Sequence, residues 1–319
     1  MTIMPEDTKP NPRRRHETSV ILPPLNDVTI RRARDGIIAA QKKPTRHAAN
    51  DSLVNAERLV HHLPDKRLAT KQRREILRFF INLAFKVTIE NSENIPTGPS
   101  MLAPNHLNHL DPFLMLSAVL DHPFFYVLGD ARTMYNRVWK RRFVRLIGGV
   151  IPLERRWKEE MAVIEGAKTH PELVELAEEI TAKVPDGGSI ETLRRIDRIV
   201  QAIFANGDSI LIFPEGALGL QEGKLRLPLK KGTVLYAMRS GVPIVPVGII
   251  GTRDLFFRKH LTVRFGKPIT FTQSDHPKGR DVQAALNQLE DAMVALLPEQ
   301  YEEPKGIHLF RRRLNRMFL

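Results

Sequence analysis

Residues 101–116 read Met101-Leu102-Ala103-Pro104-Asn105-His106-Leu107-Asn108-His109-Leu110-Asp111-Pro112-Phe113-Leu114-Met115-Leu116. An apolar run leads into a polar turn, and a second apolar run starts at Pro112. The proline ring fixes φ near the helical value and suits a first helical position, which marks Asp111 as the expected N-cap. The stretch therefore predicts a short strand, a turn carrying His106, and a helix with Asp111 at its head.

Working outward, the same alternation repeats. Lys86–Glu90, Ser100–Pro104, Phe124–Leu128, a short run after Gly149, Ser209–Phe213, Gly241–Ile250 and Leu261–Phe265 have the length and apolarity of strands. Between and after them lie helical patterns, among them 131–146, 189–205, 229–239 and 281–297. Upstream, Ile76, Leu77, Phe79, Phe80, Leu83 and Ala84 form an apolar face opposite Lys71, Arg73, Arg74 and Arg78. Such a helix docks on its own core or lies on an anionic bilayer. Short apolar strands alternating with helices predict an α/β fold, a largely parallel central sheet flanked by helices and preceded by basic amphipathic N-terminal helices. The expected organisation is a disordered tail over 1–25 and a helical extension over 26–69. The main domain follows over 70–270, with an insertion at about 157–188, and a helical segment over 271–319 closes the chain.

The chain has 319 residues and a formal charge of +13. That charge is uneven. Residues 1–86 hold 18 Lys and Arg against 9 Asp and Glu, and the blocks 132–145 and 305–319 hold six and five basic residues with no acidic ones. Such blocks suit an anionic partner: a phosphate-bearing substrate, an anionic membrane face or nucleic acid. Nucleic acid is not expected, because no aromatic stacking platform is interleaved with the basic runs. The absence of cysteine excludes disulfides, thiolate nucleophiles and Cys-type zinc sites, and suits a cytoplasmic setting. The longest uncharged run, 240–252, has 13 residues and two prolines, against the ~18 or more apolar residues a membrane span requires.

Three readings of the opening stretch stay open on its residues alone. Two histidines three apart and an aspartate resemble part of a metal site, but no second ligand cluster appears in the sequence, so none is expected. The histidines also read as ordinary turn residues. The third reading is a dyad, with Asp111 fixing one tautomer of His106 so that the ring accepts a proton from a substrate hydroxyl. Company favours the dyad. Arg155 ends one strand, and Phe213-Pro214-Glu215-Gly216 ends another. In an open α/β sheet, ligands bind beyond the carboxyl ends of the strands. An arginine at that rim suits a phosphate, and a glycine lets a ligand approach the backbone.

Four segments now resemble, in order, the sequence blocks of the glycerolipid acyltransferases, the 1-acylglycerol-3-phosphate acyltransferases in particular. They are Asn105-His106 with Asp111, Gly149 to Arg155, Phe213-Pro214-Glu215-Gly216, and Val242-Pro243-Ile244-Val245-Pro246-Val247. The resemblance spans about residues 70–270 and implies acyl transfer to a glycerolipid hydroxyl. The donor thioester would be acyl-CoA or acyl carrier protein, with no further cofactor. The acceptor would be a lysophospholipid or a glycerol phosphate. It implies His106 as base and Asp111 as its orienting partner. Asn105, Arg155, Phe213, Pro214, Glu215 and Gly216 would line the substrate site. The enzyme would sit at the inner face of the cytoplasmic membrane, peripheral to an anionic surface. Three departures stand out. Ala217-Leu218 occupy the place of the arginine that usually follows the third block, Asn108 replaces a common serine, and 157–188 is inserted. Lys224 or Arg226 is the expected replacement for that arginine. His109 is expected to be a bystander. The competing expectation is a non-catalytic basic module, binding membrane or nucleic acid on the same fold.

Overall fold

The computed structural model describes residues 22–318, so most of the tail expected over 1–25 lies outside the described residues. The elements are α1 (Asp27–Gln41), α2 (Lys43–Glu57), α3 (Thr70–Ala84), β1 (Lys86–Glu90), β2 (Met101–Pro104), α4 (Asp111–Ala118), β3 (Phe125–Asp130), α5 (Ala131–Met134), α6 (Val138–Ile147) and β4 (Val150–Leu153). They continue with α7 (Lys158–Gly166), α8 (Val174–Lys183), α9 (Ile190–Ala205), β5 (Ser209–Leu211), α10 (Gly232–Ser240), β6 (Ile244–Ile250), β7 (His260–Phe265), α11 (Gly279–Val294) and α12 (Arg311–Phe318).

The strands make one seven-stranded sheet in the order β1-β7-β6-β2-β5-β3-β4. From β6 to β4 every neighbour is parallel. β7 returns antiparallel beside β6 and carries β1 parallel to itself. The sheet is thus largely parallel, as expected. β2, at its centre, is buried on both faces, which explains why its residues run apolar without alternating. Met101 and Ala103 face the layer of α9, α10 and α11, where Ile199, Ile203, Val234 and Leu289 complete one core. Leu102 faces the layer of α3 and α4, where Leu77, Ile81, Leu114 and Phe265 complete the other.

Two segments without an evident role in the sequence pack on each other. Ala33, Ile37 and Ala40 of α1 meet Val163 of α7 and Leu176, Ala177 and Ile180 of α8 in a core of their own. The buried Glu160 receives both Nη atoms of Arg132, at 2.5 and 3.0 Å, and so ties α7 to α5, just past the end of β3. The single helix expected over 131–146 is broken. Asp130 caps α5 through Thr133 N, and the chain turns at the buried Tyr135 before α6 begins. Among the described residues no helix is long and apolar enough to cross a membrane.

Candidate active site

His106 stands on the turn just past the carboxyl end of β2. Asn105 fixes that turn from within. Its Nδ2 donates to Ile249 O at 2.9 Å, and Ile249 N donates to its Oδ1 at 2.6 Å, extending the β2–β6 ladder by one side-chain rung. Asn105, expected to line the substrate site, is fully buried with its amide committed to β6.

One oxygen of Asp111 gathers the rest of the turn. Its Oδ2 accepts from His106 Nδ1 at 2.9 Å, Leu107 N at 2.7 Å and Asn108 N at 2.8 Å. Asp111 is not the N-cap of α4, as the sequence suggested. It is the first helical residue, and its side chain bends back onto the residues preceding the helix. The local closure falls to Asn108, whose Oδ1 accepts from Leu110 N at 3.0 Å. With Nδ1 donating to Asp111, the lone pair of His106 lies on Nε2. The ring stacks on Phe213 at a centroid distance of 4.1 Å and remains partly exposed. His109 lies edge-on, 6.1 Å from the His106 ring, and burial pushes its pKa down to about 3, so it is neutral at physiological pH.

The second wall comes from β5. Its continuation through Phe213 and the buried Pro214 delivers Glu215, which is 1% exposed. Glu215 Oε1 accepts from His106 N at 2.7 Å and Oε2 from Arg226 N at 2.6 Å. Gly219 N donates to His106 O at 2.6 Å. The backbone of His106 is therefore held at both N–H and C=O by the segment after β5. Burial drives the Glu215 pKa up to about 7 against the opposing pull of those two amides. Both carboxylate oxygens of Glu215, expected to line the substrate site, accept from backbone N–H groups, one of them that of His106. Gly216 has φ +63°, and a Cβ there would stand 3.0 Å from the Lys230 side chain and 3.4 Å from Arg155 Nη1. Only glycine suits that place on both counts.

Arg155 reaches this wall from the end of β4, so the second and third blocks meet at one rim. Its Nε lies 3.4 Å from Asp130 Oδ2, and Arg132 Nη2 holds its carbonyl at 2.6 Å. Arg226, one of the two expected replacements for the missing cation, donates from Nη1 to Leu218 O at 2.9 Å. Sequence reasoning did not place Lys230 beside Gly216. The signal available for Lys230 was the Lys230-Lys231 pair after Leu229, but nothing in its spacing points to Gly216. Among the described residues no group of three His, Asp or Glu side chains is placed to hold a metal ion.

The acyltransferase family model matches residues 86–250. Over 178 residues the chain is 25% identical to the chloroplastic 1-acyl-sn-glycerol-3-phosphate acyltransferase BAT2 of Brassica napus, a match covering 53% of this chain and 38% of that one. Over 242 residues it is 24% identical to a probable 1-acyl-sn-glycerol-3-phosphate acyltransferase of Mycoplasma pneumoniae, covering 74% and 73%. The crystal structure of the 1-acyl-sn-glycerophosphate acyltransferase PlsC from Thermotoga maritima aligns with a TM-score of 0.46 at 20% identity, over 73% of this chain and 81% of that one.

Proposed function

The chain belongs to the acyltransferase family, and from that premise we propose that it moves a fatty acyl group from a thioester donor to a free hydroxyl of a lysophosphatidate-like glycerophospholipid. The donor is acyl-CoA or acyl carrier protein. His106 is the general base and Asp111 its orienting partner. Nε2 takes the proton of the acceptor hydroxyl as that oxygen attacks the thioester carbonyl. The tetrahedral intermediate collapses with cleavage of the C–S bond, and the proton returns from His106 to the departing thiolate. A thiol is a good leaving group, so the chemistry asks for one well-placed base and correct positioning of two substrates.

The observation that carries this reading is the 2.9 Å bond from His106 Nδ1 to Asp111, a carboxylate itself locked by two backbone amides. Arg155 holds acceptor phosphate. The reaction takes place at the inner face of the cytoplasmic membrane, with the exposed Phe79, Phe80 and Leu83 of α3 meeting an anionic lipid surface. The names of the relatives above support a 1-acylglycerol 3-phosphate as acceptor.

A mass-spectrometric screen tests the reading. Purified protein is given a panel of lysolipids with one acyl-CoA and, separately, one acyl carrier protein thioester. Diacylglycerol 3-phosphate formed from its lyso precursor is the expected product. Failure to acylate any lysolipid from either donor would contradict the proposal.

A further inference from the structure

Arg155 is held from two sides, and both holds lead into segments outside the four sequence blocks. Its carbonyl accepts from Arg132 Nη2 at 2.6 Å, and its Nε lies 3.4 Å from Asp130 Oδ2. Arg132 is itself fixed. Its Nη1 donates to Gly36 O of α1 at 3.2 Å, and both Nη atoms bond Glu160 of α7 at 2.5 and 3.0 Å. Its guanidinium also stands 4.2 Å from the centre of the Trp157 ring. Each Nη atom thus makes two bonds, which spends all of its hydrogens. Asp130 is fixed as well. Its Oδ1 accepts from Thr133 N at 3.1 Å and its Oδ2 from Trp157 Nε1 at 3.0 Å. Trp157 N donates in turn to Glu160 Oε2 at 2.5 Å, which joins the two holds.

Space is used as closely as hydrogen bonds. A Cβ at Gly36 would collide with Glu160 Oε1, so α1 admits nothing larger there without moving that carboxylate. A Cβ at Gly187, in the connection between α8 and α9, would collide with Glu154 O and stand 3.3 Å from Arg155 Cα. Asp130, Arg132 and Glu160 are buried, whereas the side chain of Arg155 is 40% exposed. Among the described residues Nε is the only side-chain nitrogen of Arg155 in a hydrogen bond. A buried ion pair such as Arg132 with Glu160 returns little net stability compared with apolar side chains of the same volume. What it does set is the direction of its remaining donors, and one of those is spent on the carbonyl of Arg155.

We propose that Asp130, Arg132 and Glu160 are positioning residues for Arg155, with α1 at Gly36 as the outer wall of the clamp. This rests on the reading above in which Arg155 holds acceptor phosphate. The clamp fixes the Arg155 backbone through its carbonyl and the side chain through Nε. Both Nη groups are left for the ligand, and Nη1 lies beside the Gly216 turn. The helical N-terminal extension and the 157–188 insertion therefore take part in acceptor binding without touching the acceptor. They decide where a planar fork stands, and that fork must match the oxygens of a phosphate. A displacement of about 1 Å at such a group is enough to weaken its action severely.

Gly36→Ala tests the clamp from its far side, since the added methyl must push Glu160 and with it Arg132. Initial rates are measured with 1-acylglycerol 3-phosphate and acyl-CoA as varied substrates. The acceptor KM should rise about tenfold, with kcat and the KM for acyl-CoA near wild type. Asp130→Asn keeps the native shape and should act in the same direction, because an amide cannot serve the three donors its carboxylate serves. The effect must pass through Arg155. In an Arg155→Ala background neither substitution should raise the acceptor KM further, a non-additivity that general loosening of the fold does not produce. Ile37→Val, in the core shared by α1, α7 and α8, should lower the melting temperature and leave the acceptor KM unchanged. Full additivity with Arg155→Ala overturns the proposal, and so does an acceptor KM unmoved in both Gly36→Ala and Asp130→Asn. An acceptor KM unmoved in Arg155→Ala removes the phosphate role of Arg155 and the clamp with it, and leaves the acyl-transfer reading standing. If the wild type transfers no acyl group, the same variants are compared by calorimetric titration with glycerol 3-phosphate. Weaker binding by Gly36→Ala that disappears in the Arg155→Ala background then upholds the clamp while the reaction assignment falls. Equal binding by all the variants, or none by any, overturns the clamp as well.

Discussion

The chemistry proposed for this chain depends on how one imidazole is held. Asp111 Oδ2 carries three donors, so replacing it disturbs the ring and the two amides of the turn together. Asp111→Asn keeps the shape but presents an amide where Nδ1–H needs an acceptor, and kcat should fall about a hundredfold or more in steady-state acyl transfer. Glu215 makes a different prediction. Its folded pKa is about 7 against an ordinary 4.5, so between those values the folded chain keeps a proton that the unfolded chain has released. Stability contributed by this group is therefore greatest at low pH and declines as pH rises through that window. Glu215→Gln cannot titrate. The melting temperature of wild type relative to this variant should drop steadily from about pH 4.5 to about pH 7, and a constant difference across that range would contradict the burial argument. Of the residues involved, His106 and Asp111 were legible in the sequence because their link is local, five positions apart. Glu215 was legible only as a member of a block. That its carboxylate points inward, onto His106 N, depends on the path of the loop after β5, which has no periodicity to read.

Most elements were legible from their patterns, and the exceptions have physical causes. Alternation marked β7 as a strand but carries no direction, so its antiparallel return beside β6 could not be read. The break between α5 and α6 follows from an Asp130 cap and a buried Tyr135, neither of which disturbs the apolar spacing. α3 shows how a single helix serves two faces. Leu77 and Ile81 are buried against the sheet, while Phe79 and Phe80 are 64% and 58% exposed. Arg258 closes its carboxyl end, donating from its backbone to Ala84 O at 2.6 Å and from Nη1 to Asn82 O at 3.0 Å. Phe257, next to it, meets the exposed Phe310 edge-on at 6.0 Å. Because the two phenyl groups of α3 face solvent, Phe79→Ser with Phe80→Ser should leave the melting temperature nearly unchanged. The double variant should also cosediment far less with vesicles containing anionic phospholipid. Undiminished sedimentation would remove α3 from the proposed membrane contact.

At the scale of the molecule, five parallel strands bring the ends of β2, β4 and β5 to one edge, and His106, Arg155 and Gly216 meet there for that reason. The fold thus explains how blocks separated by tens of residues act on one substrate. It also gives the unassigned segments a place, since α1, α7 and α8 share a core beside the strand that carries Arg155. That pairing was not legible, because each segment taken alone is only a charged, helix-prone stretch. Arg155 and the side chain of Lys230 stand beside Gly216 on that edge. The central claim is that His106 removes the acceptor's hydroxyl proton. Its most direct test is initial-rate acyl transfer from acyl-CoA to 1-acylglycerol 3-phosphate by wild type and by His106→Ala at equal folded concentration. The account predicts a loss of about a thousandfold in kcat, with the KM for both substrates close to wild type. Turnover by His106→Ala within about twofold of wild type, far short of the loss expected for removal of a general base, would contradict it.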